Sequence, residues 1–180
     1  MSAKRHTSTV GEVIKIPIDD QRVAVAYTAC VRRESYKIFV LGFAQLFDKE
    51  TSNEELVNQA QVLLPTFALD TGTELIDLHD WEVIGRTERA DTHLYFPVYK
   101  KREAQGWVLE DLTTQYVRDA SPQESRTLNF RSSFSASTLQ DALKGESGVI
   151  GYPAWADRVR VGKYPLARDY FDNYDPPLAQ

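Results

Sequence analysis

The sequence predicts a mainly β (α+β) fold: a curled antiparallel sheet or small barrel, opened by a β-meander and carrying two short helices. Three observations predict it. The first 43 residues hold three apolar runs separated by short polar turns. After one helical interval, apolar residues return at a period of two through Leu112. The intervals that read as helix are brief and carry cap residues at their ends.

The first strand is Val10 to Ile18. Val10, Ile14, Ile16 and Ile18 share one parity, with Glu12 and Lys15 marking the wetter side, so the strand is expected to bury mostly one face. Asp19-Asp20-Gln21 supplies turn chemistry. Arg22 to Val31, rich in Val, Ala and Tyr, is the second strand, and Tyr36 to Phe43 the third, after the turn Arg32-Arg33-Glu34-Ser35. Short connections of this kind fit antiparallel pairing.

Thr51-Ser52-Asn53-Glu54-Glu55 reads as a helix start, because free N–H groups and the helix dipole favour side-chain oxygens and negative charge there. This helix is expected from about Asn53 to Val62, ending ahead of Pro65. Strands are then expected at Thr73 to Leu78, Trp81 to Arg86, Leu94 to Lys100 and Gly106 to Leu112, with Thr113 to Val117 continuing the last. Trp81 and Trp107 are expected to be largely buried, since large aromatics in apolar strands supply core area. Ser121-Pro122-Gln123-Glu124 is a turn or helix start, and Ser137 to Gly145 a short helix with a serine cap and a glycine stop. The expected organisation is an arm at 1–9, one mainly β domain at 10–163, and an irregular tail at 164–180 lying on it.

The chain has 180 residues, of which 42% are hydrophobic, enough for one core. No apolar run approaches the roughly 20 residues that span a bilayer, and the basic N-terminus has no apolar stretch behind it. A cytoplasmic domain with no membrane partner is therefore expected. The single cysteine, Cys30, excludes an internal disulfide and a cysteine-rich zinc site, and reads as a small core residue.

No catalytic motif stands out. His6, His79 and His93 have no spacing that places two imidazoles on one helix face. Phosphate-cradling glycine loops and a nucleophile elbow are absent. Glu110 and Asp111 are sequence neighbours, so in a strand they face opposite ways. The expectation is a binding protein, not an enzyme, with no cofactor and no metal.

Charge is unevenly placed. Asp48 to Asp91 holds eleven acids and three bases, a balance of −8; with −5 for the whole chain, the remainder carries +3. Such a stretch repels phosphate backbones, so no nucleic-acid partner is expected, and it attracts a basic protein. Lys100-Lys101-Arg102, following Tyr95, Phe96 and Tyr99, is the one run that fits single-stranded nucleic acid; its plainer reading is a hairpin with solvated charges.

The segment Gly11-Glu12-Val13-Ile14-Lys15-Ile16-Pro17-Ile18-Asp19-Asp20-Gln21-Arg22-Val23-Ala24-Val25-Ala26 resembles the opening of the immunity protein 26 family of bacterial polymorphic toxin systems. Members open with a glycine-acid pair, an apolar strand ending in Ile-Pro, an acidic or glycine turn, and a strand of small residues. Where a glycine is usual in the second strand, Ala24 and Ala26 stand here. The resemblance is carried chiefly by the first 35 residues and weakens toward Leu112. It implies a bacterial, non-catalytic inhibitor that binds a cognate toxin domain. Combined with the acidic stretch, it makes Glu54, Glu55, Glu74 and Glu88 the candidate contacts to a basic, nuclease-like toxin, with Tyr95 and Phe96 as aromatic anchors. The alternative reading is a regulatory β-barrel module that binds a small molecule or single-stranded nucleic acid.

Overall fold

The computed structural model describes residues 7–32, 37–72 and 80–176. β1 (Glu12–Pro17), β2 (Arg22–Arg32) and β3 (Lys37–Asp48) are consecutive antiparallel strands. They form the middle of a five-stranded sheet with β4 (Phe67–Gly72) beside β3 and β5 (Glu82–Arg86) beside β1. The expected strand at Thr73 to Leu78 lies outside the described residues. A second antiparallel sheet contains β6 (Val98–Arg102), β7 (Trp107–Asp111) and β8 (Val117–Asp119). Among the described residues neither sheet closes on itself, so the fold is a pair of open sheets and not a barrel.

Among the described residues the helices are α1 (Asn53–Val62), α2 (Pro122–Thr127) and α3 (Ala136–Glu146). The turn or helix start expected at Ser121 becomes α2, because Ser121 and Glu124 close a reciprocal capping box over a proline in the first turn. α1 has the expected bounds. Its cap is the Ser52 hydroxyl, which accepts from the Glu55 N–H at 3.2 Å.

The expected one-sided burial of β1 is corrected. Val13 and Ile14 are both fully buried, because the five-stranded sheet is covered on both faces. On one face, Ile14, Ile16, Ala24, Ala26 and Val40 pack with Leu139, Ala142 and Leu143 of α3. On the other, Val13, Val25, Tyr27, Leu41 and Phe43 pack with Leu56 and Ala60 of α1 and with Phe96 and Leu112. Small residues let α3 come close: a Cβ on Gly42 would lie 2.6 Å from Leu139 Cδ1. Gly42 pairs across to Ala26, so the alanine that replaces a usual glycine sits under the same helix.

Four further expectations are revised. Residues 92–95 form a 3-10 turn, so β6 starts at Val98 and not at Leu94. Thr113 to Val117 does not prolong β7: Asp111 accepts from the Gln115 and Tyr116 N–H groups (3.1 and 3.2 Å) and folds the chain back into β8. α3 runs through Gly145, which serves close packing instead of a stop, since a Cβ there would meet Pro153 Cδ at 2.5 Å. Trp81 is buried, but Trp107 is only half-buried, its ring tilted against exposed Phe130 at 5.6 Å.

At the N-terminal end, Ser8 is buried and Thr9 donates to Glu12 Oε1 at 3.0 Å, so contacts with the domain begin inside the segment expected to be a free arm. Toward the C-terminus, Ala167 and Phe171 join Val98, Leu109 and Leu128 in a third core. Ala167 N donates to Phe96 O (2.8 Å), and the Tyr164 hydroxyl to Tyr95 O (2.9 Å).

Candidate functional site

Antiparallel register gathers acids from four separate stretches at one end of the five-stranded sheet. Arg22 pairs with Asp48, Lys15 pairs with Glu82, and Lys49 N donates to Gln21 O at 2.7 Å. The β1–β2 turn, the end of β3, the start of α1 and the start of β5 therefore meet. They bring Asp19, Asp20, Asp48, Glu50, Glu54, Glu55, Asp80 and Glu82 to this end, with Lys15, Arg22 and Lys49 among them. A cleft of about 430 Å³ opens there, walled by Asp19, Asp20, Asp80 and Glu82 and by Lys15 and Lys49.

These carboxylates are not equivalent. Asp19 is committed to its own turn: it accepts from the Gln21 and Arg22 N–H groups and pairs with the Arg22 guanidinium at 2.6 Å, which holds its carboxyl below the usual range. Asp20, Asp80 and Glu82 are outward-facing carboxylates without an ion pair among the described residues, and Asp80 adopts a left-handed backbone (φ 55°). Lys15 is turned onto the Lys49 carbonyl at 3.1 Å. A cationic side chain offered by a partner would find unneutralised carboxylates here.

The candidate residues read from the sequence separate into different places. Glu54 and Glu55 are exposed in the first turn of α1, at the acidic end. Glu88 is exposed too, but it follows β5 at the opposite end, where Arg86 pairs with Glu12. Glu74 lies outside the described residues. Phe96 is corrected from surface anchor to core: it is fully buried, edge-on to Phe39 at 5.6 Å. Tyr95 is half-buried, with its hydroxyl on Asp91 at 3.2 Å. The acidic stretch also loses Asp70, which is sealed in the interior against Arg32. Sequence reasoning missed Asp19 and Asp20 because they precede the stretch by nearly thirty positions; the acidic turn itself was the available signal.

Arg89 stands near Glu88 at the other end of the sheet, where it holds the C-terminal end of α1. Its buried guanidinium donates to Ala60 O (2.6 Å) and Leu63 O (2.8 Å), pairs with Asp91 (2.9 Å) and lies 5.4 Å from the Phe43 ring centre. It thus caps the C-terminal carbonyls of α1, which has no basic residue in its own last turn.

A second concavity lies where the two sheets meet, between β4 and β6. It is a half-open cleft of about 680 Å³, with Phe39, Ala68, Tyr99, Phe134 and Tyr164 among its walls. Behind it sits a buried polar seam. Asp70 is paired with Arg32, and burial pushes its carboxyl above the ordinary value despite that cation. Arg131 donates to Asp111 O and Leu112 O (2.9 and 2.7 Å), pairs with Glu110 at 3.8 Å and stacks over Tyr99 at 5.0 Å. Cys30 is half-buried, and burial pushes its thiol up to about 11, which keeps it protonated and a weak nucleophile. Among the described residues no group of three or more His, Cys, Asp or Glu is arranged to hold a metal ion, and no helix is long and apolar enough to cross a membrane.

Comparison with known proteins finds no family model, no characterised protein and no solved structure that matches this chain.

Proposed function

We propose that the protein is a non-catalytic immunity protein that binds a basic toxin domain through the acidic end of its five-stranded sheet. The observation that carries this reading is the cleft where the β1–β2 turn, the residue after β3 and the start of β5 come together, with Asp20, Asp80 and Glu82 in no ion pair among the described residues. A nucleic-acid-cleaving site is lined with cations, and a carboxylate-lined surface complements it. The hairpin that resembles the immunity protein 26 family supports the same reading from a second direction. Two residues of its turn, Asp19 and Asp20, line that cleft. Glu54 and Glu55 extend the surface along α1; Glu88 and Phe96 no longer belong to it.

The test is a pull-down from the source cells followed by co-expression with the toxin domain it captures; capture of none would count against the reading. Wild type should restore growth. A variant with Asp20→Asn, Asp80→Asn, Glu82→Gln and Glu54→Gln together should associate at least about tenfold more slowly at low salt, the difference shrinking as exposed charges become screened over about 8 Å at physiological ionic strength. Glu88→Gln, at the other end, should leave the rate unchanged. Equal rates and equal salt slopes for all three proteins would remove the acidic end from the interface, and failure of wild type to protect would sink the immunity reading itself.

A further inference from the structure

The cleft between the sheets combines two features that point to a ligand of a particular kind. Its inner wall is apolar and largely aromatic: Phe39, Tyr99, Phe134 and Tyr164, with Leu69 and Val98. Its mouth carries Arg158 and Lys163, both exposed, and neither makes a side-chain hydrogen bond or ion pair among the described residues. Exposed Asn129 and Ser132 add hydroxyl and amide groups to the rim.

The acids that border the cleft do not cancel these cations. Asp157 accepts from the Tyr152 hydroxyl at 2.9 Å and lies 3.7 Å from Arg160. The Asp70 carboxylate has no exposed side-chain surface and is paired with Arg32. What remains facing the opening is a positive rim above an aromatic floor, in a chain whose overall charge is −5. The volume is within the range of small-molecule sites, about 300–1,000 Å³.

We infer that this cleft binds a small organic anion with an aromatic body, a carboxylate or an acid of similar geometry, whose ring lies on the Tyr99 and Tyr164 side while its charged end meets Arg158 and Lys163. The site is separate from the acidic end of the sheet and does not rest on the toxin reading.

The experiment titrates the full chain with 2-naphthoate and with 2-naphthamide, which keeps the shape and removes the charge, following amide resonances by NMR. Naphthoate should perturb Ala68, Tyr99, Ser132 and Lys163, and should bind about tenfold more tightly than the amide. Arg158→Gln with Lys163→Gln should erase that preference without lowering the melting temperature, since neither side chain holds the fold together. Asn129→Trp, at an exposed rim position, should block both probes. Equal affinity for the two probes, a preference that survives the double replacement, or perturbations mapping away from the cleft would each overturn the inference. So would the absence of any response to naphthoate at millimolar concentration.

Discussion

The two sheets are built from similar hairpins, yet they are covered in different ways. The five-stranded sheet is roofed by a helix on each face, and small residues at the crossings let the helices approach until side chains interdigitate, as at Gly42 beneath Leu139. Among the described residues, the three-stranded sheet is covered by the short α2 and the C-terminal segment, which set Leu128, Ala167 and Phe171 on Val98 and Leu109. Its outer face carries stacked cations and rings: Lys100 lies 5.0 Å from the Phe130 ring centre and Arg102 lies 5.0 Å from that of Trp107. Where it meets the first sheet, Phe96, Tyr99 and Leu112 are joined by a polar seam: Arg32 with Asp70, and Arg131 with Glu110. Helix-covered sheet resists change through packing; the seam resists it through charge compensation. The two should therefore fail differently, and the difference is measurable.

The largest loss should come at the seam. Arg32→Met removes the cation from a carboxylate with no exposed side-chain surface, and leaving a buried charge without its partner costs about 3–5 kcal/mol. Burial already raises the Asp70 carboxyl above 3.8. A carboxyl with a raised folded value stabilises the fold when protonated, and that contribution is lost as pH rises through the folded value. The variant's deficit should therefore be full at neutral pH and narrow as pH falls through that raised value, which lies above 3.8, as urea unfolding at several pH values would read. Replacing both partners, Arg32→Met with Asp70→Leu, should recover most of the loss. A deficit that is independent of pH would mean that Asp70 does not govern the seam.

The helix-covered sheet should respond to volume and not to pH. Gly42→Val pushes a branched side chain into Leu139, and overpacking of this kind costs about 1–3 kcal/mol. Its penalty should be the same at pH 4 and pH 7. Shortening the obstacle, as in Gly42→Val with Leu139→Ala, should show coupling between the two sites, because the clash is their shared contact.

The smallest effect belongs to the rim of the three-stranded sheet. Glu124 closes the α2 capping box and pairs with Arg118, whose hydrogen bond holds the glutamate down to about 2. Both side chains are partly exposed, so Glu124→Gln should cost only about 0.5–1 kcal/mol. A lowered carboxyl stabilises the fold above its unfolded value and loses that contribution as pH falls through the folded one. Wild type and variant should therefore converge between pH 4.5 and about 2. Together the three variants separate a seam that weakens as pH rises, a sheet indifferent to pH, and a rim that weakens as pH falls.

Much of the first sheet was legible in the sequence because its signals are local. Apolar alternation and two-to-four-residue polar turns are enough to set β1, β2 and β3 side by side, and Ser52 with Glu54 and Glu55 marks the start of α1. The second sheet was harder to read. Thr113 to Val117 has strand composition, and only the Asp111 carboxylate, which captures two N–H groups downstream, turns it back. Phe96 was read as an interface anchor because aromatic residues dominate interface hot spots; Phe39, nearly sixty positions away, makes it core.

The sequence by itself determined the mainly β class, the opening meander, the α1 bounds and the surplus of acid in the middle of the chain, all of which depend on residues within a few positions of one another. Only the tertiary structure decided where that acid stands. Asp70 went inside because its strand faces Arg32; Glu88 went to the far end because β5 runs antiparallel to β1; Asp19 and Asp20 joined Asp80 and Glu82 because that same pairing brings the end of β1 beside the start of β5. Charge is additive along a chain, but the field a partner meets depends on distance, and distance is set by strand register.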